Sequence, residues 1–422
     1  MIDKDKKFVW HPFTPQHENI PDNIFIDKAE GIYLHTSDGR KIIDAISSWW
    51  INIHGHANPR IAKTLWEQAN KLEHVIFAGF THQPAIELAE KLLSILPSNI
   101  KKVFYSDNGS TANEVAIKMA MQYWHNLGIK KKKIIALEGA YHGDTFGAMA
   151  VGDRSIFTQP FTDYLFEVSF IDFPTKGNQG HVISQFESLL QTGEVGIFIF
   201  EPLIQGAAGM RMYAPETLDI LLKLAKQHNV ICIADEVFTG FYRTGKFLAS
   251  NYLSQQPDII NLSKGITGGT MPLGVTVCTK KIYDAYHSPE MTKAFLHGHS
   301  YTANPLACAV ANTSFEMLME EKCQSQISKI AASHLSFIHE IKDHPAIFNI
   351  RSLGTVLAIE IRSPQKSDYT NTLREKIYSH FLNKDILLRP LGNVIYLVPP
   401  YITTEAELRK IYNSISEFLN LV

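Results

Sequence analysis

Three short segments combine residue types that together suit one kind of chemistry. In Asn108-Gly109-Ser110-Thr111-Ala112-Asn113-Glu114, a glycine and hydroxyls stand where a helical pattern opens, with Ala112, Val115, Ala116, Met119, Ala120 and Tyr123 on one face. Backbone N–H groups and the positive dipole end of such a helix suit a phosphate; a capped helix after a tight turn is the plain alternative. Thr111 and Glu114 have capping-box spacing, which predicts a helix beginning near Thr111. The second segment, Ile231-Cys232-Ile233-Ala234-Asp235-Glu236-Val237, ends an apolar run in two carboxylates. Burying either is costly without a cationic partner. One could keep a heterocyclic nitrogen protonated, or the pair could simply be solvated. In the third, Ile259 to Gly269, Lys264 follows an apolar run and a glycine-containing loop follows it. Desolvation there lowers a lysine pKa and frees the amine for imine formation, unless the side chain reaches out to solvent. A phosphate cradle, a counter-ion and an amine are the three handles of pyridoxal phosphate.

The elements that must position these groups alternate along the chain. Apolar runs at Val103–Tyr105, Ile134–Leu137, Val195–Phe200, Val230–Ala234, Ile259–Leu262 and Val275–Cys278 read as strands covered on both faces. Helical patterns such as Thr111–Trp124 and Glu216–His228 lie between them. Strand and helix in turn give an α/β fold with a mostly parallel sheet, whose strand ends are where ligands bind. Residues 1–50 form an N-terminal segment with a hairpin around Asp38-Gly39, 51–315 a large domain, and 316–422 a smaller α+β domain that the hairpin joins. One long helical stretch is expected from Pro305 through Ile341.

Forty basic and 42 acidic residues give no global field for nucleic acid or an acidic membrane. The run Lys130–Lys133 lacks interleaved aromatics and reads as a solvated loop before a strand. No run reaches the ~20 apolar residues of a bilayer span, and the charged start leads into no signal-like stretch. Cys232, Cys278, Cys308 and Cys323 are widely spaced, which suits reduced buried thiols and a cytoplasmic protein.

The order and spacing of these motifs resemble the class III aminotransferases of pyridoxal-phosphate fold type I, from Trp10-His11-Pro12-Phe13-Thr14 to Val398-Pro399-Pro400. Asp235-Glu236-Val237-Phe238-Thr239-Gly240-Phe241-Tyr242-Arg243-Thr244-Gly245 and Leu262-Ser263-Lys264-Gly265 carry the likeness most specifically. The resemblance implies a large domain with a seven-stranded sheet plus a smaller α+β domain. Within the family, Ser47-Ser48-Trp49-Trp50, Tyr141 to Met149, Gln205 to Tyr213, Leu388-Arg389-Pro390 and Tyr396 to Tyr401 are most similar to the 7,8-diaminopelargonic acid aminotransferase branch of biotin synthesis.

That likeness implies roles. Lys264 is the Schiff-base lysine and proton carrier; Asp235 pairs with the pyridinium nitrogen; Tyr141 and Val237 cover the two ring faces. Asn108, Gly109 and Ser110 hold the phosphate, with Ser300 reaching it from the partner of a homodimer, and Glu201 lies near the cofactor. Trp49 and Arg389 take the aliphatic chain and carboxylate of 8-amino-7-oxononanoate, and Arg243 recognises the amino donor. Tyr396 stands where members using glutamate carry an arginine, which argues against glutamate and leaves S-adenosylmethionine or lysine as donor. Phe13 replaces a family tyrosine and His299-Ser300 a Pro-Thr pair, both in the pocket region. His54-Gly55-His56 and His297-Gly298-His299 lack zinc-site spacing, and no metal is expected. An ω-aminotransferase of the same family acting on a diamine or ω-amino acid, a racemase or aminomutase on the same fold, and a cofactor-binding regulator are the competing readings.

Overall fold

Runs rich in valine and isoleucine form the strands of a seven-stranded sheet: β1 (Ile100–Ser106), β2 (Lys133–Leu137), β3 (Ser169–Ile171), β4 (Val195–Phe200), β5 (Ile231–Asp235), β6 (Ile259–Leu262) and β7 (Gly274–Thr279). The computed structural model describes every residue except 18–21, 366, 368 and 369. The strand order is β1-β7-β6-β5-β4-β2-β3, and only β7 runs against its neighbours. Every residue of β4, β5, β6 and β7 is buried, as a sheet covered on both faces requires. The strand missing from the expected set is β3, whose three residues pair only with β2 at the edge.

Helix α1 (Gly109–Asn126) follows β1 and starts earlier than Thr111. Its cap is Asn108, whose side chain accepts the Thr111 N–H at 2.9 Å while Thr111 Oγ1 accepts the Asn108 N–H at 3.1 Å. The reciprocal pair is therefore Asn108 with Thr111, not Thr111 with Glu114. Glu114 instead accepts the Ala148 N–H at 2.9 Å and ties α1 to the short helix Phe146–Val151 that follows β2. The stretch from Pro305 to Ile341 is two helices, Pro305–Met319 and Glu321–Ile341. Glu320 between them is extended (φ −65°, ψ 137°) and its carboxylate pairs with Arg60.

A second core gathers Ile32, Ile43 and Ala45 from the N-terminal hairpin with residues from Ile330 to Leu419. Strands Tyr33–Thr36 and Lys41–Asp44 flank the Asp38-Gly39 turn, and Ile386–Leu387 pairs in parallel with Ile43–Asp44. Phe337 stacks on Tyr412 with centroids 4.2 Å apart inside this core, so Phe337→Ala there would cost roughly 3–5 kcal/mol. Among the described residues no helix is long and apolar enough to cross a membrane.

Candidate active site

The C-terminal ends of β1, β2, β4, β5 and β6 share one edge of the sheet, and a cavity of about 820 Å³ opens there. Lys264 lies two residues beyond β6 with a left-handed φ of 42°. That conformation aims Nζ at the ring faces of Trp50, 4.5 Å away, and Phe238, 5.7 Å away. Burial lowers its pKa to about 8, against the pull of Asp235 and Glu201.

Asp235 ends β5 and is buried. Its Oδ2 accepts from Asn113 Nδ2 at 2.8 Å and lies 2.7 Å from His142 Nδ1; its Oδ1 accepts the Val237 N–H at 3.1 Å. Asn113 is itself clamped, giving a second bond to the His142 carbonyl at 2.8 Å and accepting from Asn261 at 2.6 Å. Glu236 points the other way, as alternation along a strand dictates. It accepts from Thr239 Oγ1 and the N–H groups of Ala249 and Ser250, closing the loop after β5, and burial raises its pKa. The strand-end acidic pair thus splits between the cavity and a structural task.

Glu201 follows β4 and accepts the N–H groups of Tyr141 at 3.1 Å and Gly206 at 2.9 Å. Burial pushes its pKa up to about 7, with His142 opposing and Asp235 adding to the shift. Tyr141 lines the cavity, and burial lifts its phenol above the usual range.

Where α1 starts, a Cβ on Gly109 would lie 2.6 Å from Val237 Cγ1, and one on Gly143 would lie 2.2 Å from Ser110 Oγ. Only glycines let these chains meet. Ser110 Oγ accepts the Thr145 N–H at 3.0 Å, so the helix N-terminus and the Tyr141 loop form one wall. The Gly109 and Ser110 N–H groups are in the first turn and have no acceptor within the helix. A desolvated amine, a clamped buried carboxylate and a helix start kept open by glycine fit pyridoxal phosphate in all three of its polar handles.

At the mouth, Phe13 packs edge-on against Trp49 at 5.5 Å and Phe157 at 5.7 Å, and the Arg389 guanidinium lies 4.8 Å from the Trp49 ring. The parallel pairing of Ile386–Leu387 with Ile43–Asp44 brings Arg389 and Trp49 together across 340 positions of sequence. Tyr396 also lines the cavity and accepts from Trp50 Nε1 at 3.1 Å. So Trp49 walls the mouth, while Trp50 is buried and underlies the amine.

Three residues with expected roles, Arg243, His299 and Ser300, do not line this chain's own cavity, and Ser300 is expected to act in the partner's. Arg243 is 1% exposed and outside the cavity lining. Its Nη1 donates to Pro399 O at 2.8 Å and its Nη2 to Ser47 Oγ at 2.9 Å. It follows two residues of left-handed φ, Phe241 and Tyr242. His299 and Ser300 also lie outside this chain's cavity; His299 Nε2 stands 4.0 Å from Asp107 Oδ1, and Ser300 is exposed. His54 binds Ser314, His56 binds Asp44, and His297 faces Lys118. Sequence reasoning passed over Asn113 and Phe157. A polar residue on the buried face of α1 was a usable signal for Asn113, whereas nothing local marks Phe157.

A model of the family "Aminotransferase class-III" matches residues 13–419. The adenosylmethionine-8-amino-7-oxononanoate aminotransferase of Synechococcus elongatus is 45% identical, over 98% of each chain. The crystal structure of the enzyme of that name from Methanocaldococcus jannaschii fits with a TM-score of 0.91 at 35% identity, over 98% of each chain. An amine transaminase from an uncultivated Pseudomonas species, solved in its PLP-bound form, also reaches 0.91, at 27% identity over 97% of each chain. The two backbones fit equally well, so fold does not discriminate between substrates here; sequence does.

Proposed function

From the premise that this chain belongs to the class III aminotransferases and is a pyridoxal-phosphate-dependent transaminase, we propose that it aminates 8-amino-7-oxononanoate to 7,8-diaminononanoate, a step of biotin synthesis. The observation that carries this reading is the full-length identity to the Synechococcus elongatus enzyme, whose name states that acceptor. The mouth supports it: Phe13, Trp49 and Phe157 offer apolar surface to an aliphatic chain, and Arg389 beside them offers a planar fork to its carboxylate.

Bound in the cavity, pyridoxal phosphate supplies a carbonyl that exchanges amines and a ring that takes up the electron pair left when a C–H bond breaks. The protein's own groups divide the remaining work. Gly109 and Ser110 present their N–H groups to the phosphate, Asp235 holds a proton on the ring nitrogen, and Tyr141 and Val237 flank the ring. Asn113 and His142 fix the Asp235 carboxylate, so its charge is in place before the reaction begins. Lys264 Nζ, its basicity lowered by burial, binds the cofactor and then carries the proton between substrate carbon and cofactor carbon. Trp50 and Phe238 keep water from that amine. Ser300, outside its own cavity, serves the partner's phosphate cradle in a homodimer, and His299 beside it stands in the pocket region.

S-adenosylmethionine is the proposed amino donor, with lysine the second candidate; Tyr396 leaves no arginine at that place for a glutamate carboxylate. Assaying purified protein on 8-amino-7-oxononanoate with each donor in turn tests the reading. Turnover with S-adenosylmethionine is expected. Turnover with neither, alongside activity on a diamine or ω-amino acid, would replace it with the broader ω-aminotransferase reading.

A further inference from the structure

Ser47, Ser48 and Trp50 all have left-handed φ values, 52°, 60° and 69°, and Ser48 at ψ −77° lies outside the ordinary helical well. Such conformations persist in non-glycine residues only where the surroundings over-determine them. Two buried charged groups do so here, one on each side of the turn. Asp44, 0% exposed, accepts from the Ile46 and Ser48 N–H groups at 3.3 and 2.8 Å and from Ser48 Oγ at 2.9 Å. His56 Nε2 lies 2.9 Å from the same carboxylate. Asn52 Nδ2 lies 2.9 Å from His56 Nδ1, so the ring is bracketed between Asn52 and Asp44.

Arg243 grips the other side. Its Nη2 donates to Ser47 Oγ at 2.9 Å and reaches the Trp50 carbonyl at 3.4 Å, while Nη1 takes Pro399 O at 2.8 Å. Ser47 Oγ passes its own proton to Val398 O at 2.7 Å. Among the described residues no carboxylate lies within ion-pair distance of this guanidinium, so its charge is spent on neutral oxygens of the turn and of the 398–399 segment. The turn carries the two tryptophans that face opposite ends of the cavity: Trp50 under Lys264 Nζ at 4.5 Å, and Trp49 against Arg389 at 4.8 Å.

We infer that Arg243 and Asp44 are positioning residues: they hold the strained Ser47–Trp50 turn so that the amine end and the carboxylate end of the cavity are set by one piece of backbone. Arg243 acts through Ser47 and Trp50 without touching the amino donor, and this holds whichever donor and acceptor the enzyme uses.

The test is a double-mutant cycle between Arg243→Lys and Ser47→Ala. A lysine cannot span Pro399 O, Ser47 Oγ and the Trp50 carbonyl together, and alanine removes the hydroxyl link. Each variant is read by tryptophan emission of the cofactor-free protein, by the visible band of the loaded protein, and by kcat and donor KM. Both single variants should shift the emission maximum and lower kcat several-fold with donor KM changed less than about twofold. The double variant should be no worse than the more affected single one, as coupling through one contact requires. A tenfold rise in donor KM in Arg243→Lys, with kcat and emission unchanged, would overturn the inference; so would additive effects in the cycle. Should Arg243→Lys fail to fold, Ser47→Ala decides alone, and unchanged emission in it sinks the idea. The emission arm needs no substrate, so its outcome is separable from the failure of the proposed acceptor.

Discussion

The inner end of the cavity and its mouth are built on different principles. Lys264, Asp235 and the Gly109–Ser110 cradle sit at or just beyond the ends of β6, β5 and β1, on backbone fixed by a sheet whose central strands are fully buried. The carboxylate among them is clamped: Asp235 is held by Asn113, His142 and the Val237 N–H. The mouth is drawn from residues 13, 49, 157 and 389, is aromatic, and leaves Phe13 and Trp49 about two-fifths exposed. The rigid end suits bond making, where a small displacement is costly. The softer end suits the grip of a flexible chain. If that division holds, changes at the inner end should lower rate with little effect on acceptor binding, and changes at the mouth should do the reverse.

The largest effect should come from Lys264→Ala. The visible band of the bound cofactor should vanish and amino transfer should fall by roughly 10⁴-fold or more, since the proposed nucleophile and proton carrier are one residue. The melting temperature should hold or rise, because a desolvated amine leaves the interior. A persisting band would mean that another lysine binds the cofactor. Asp235→Asn comes next. It keeps the shape and an acceptor for Asn113 while removing the charge, so kcat should fall by roughly 10²- to 10³-fold with KM for the acceptor little changed. An equal loss in KM would blur the division between the two ends.

Arg389→Ala tests the opposite end and should reverse that pattern. Loss of a charged fork to a carboxylate is worth roughly 10- to 100-fold in kcat/KM, expressed in KM for the acceptor, with the cofactor band intact. Arg389→Lys should recover only part of it, because an ammonium does not pair bidentately.

The pKa of Lys264, lowered to about 8 by burial, gives a milder effect. Only the neutral amine attacks a carbonyl, so cofactor uptake by the cofactor-free protein should rise about tenfold from pH 7 to pH 9 and then level. An unshifted lysine would keep the rate climbing to pH 10. Stability follows the same proton. Between about pH 8 and the ordinary lysine range the unfolded chain holds a proton that the folded one has lost, so the cofactor-free protein should gain stability as pH rises through that window. A thermal melt series across it checks the sign.

The same contrast explains what the sequence disclosed. Six of the seven sheet strands, and the placing of Lys264 and Asp235 at strand ends, were legible, because each is a continuous apolar run or a group at the end of one. The exception, β3, has three residues at the sheet edge, too few to carry a pattern. The start of α1 was misplaced because Asn108 with Thr111 and Thr111 with Glu114 have the same spacing; only the fold shows Glu114 engaged with Ala148. Arg243 was legible as a motif residue, whereas its bonds to Ser47 and Pro399, across 196 and 156 positions of sequence, were not. The pairing of Arg389 with Trp49 depends on the long-range register of Ile386 with Ile43, which no local signal encodes.

Phe157 is the sharpest small probe of that non-local assembly, because nothing about its surroundings in sequence marks it. Its loop is held independently of the cavity: the Ser155 N–H donates to Thr158 Oγ1 at 2.8 Å, and Arg154 Nη1 caps the Ala150 and Gly152 carbonyls at 3.0 and 2.9 Å. Phe157→Ala should therefore leave the loop, the cofactor band and kcat as they are. It removes an edge-on aromatic contact to Phe13, of the order of 1 kcal/mol. KM for a long aliphatic acceptor should rise about three- to tenfold, with no change for an acceptor too short to reach the mouth. An equal loss on short and long acceptors would show that Phe157 steadies the inner end as well, and that the two ends of the cavity are not separable.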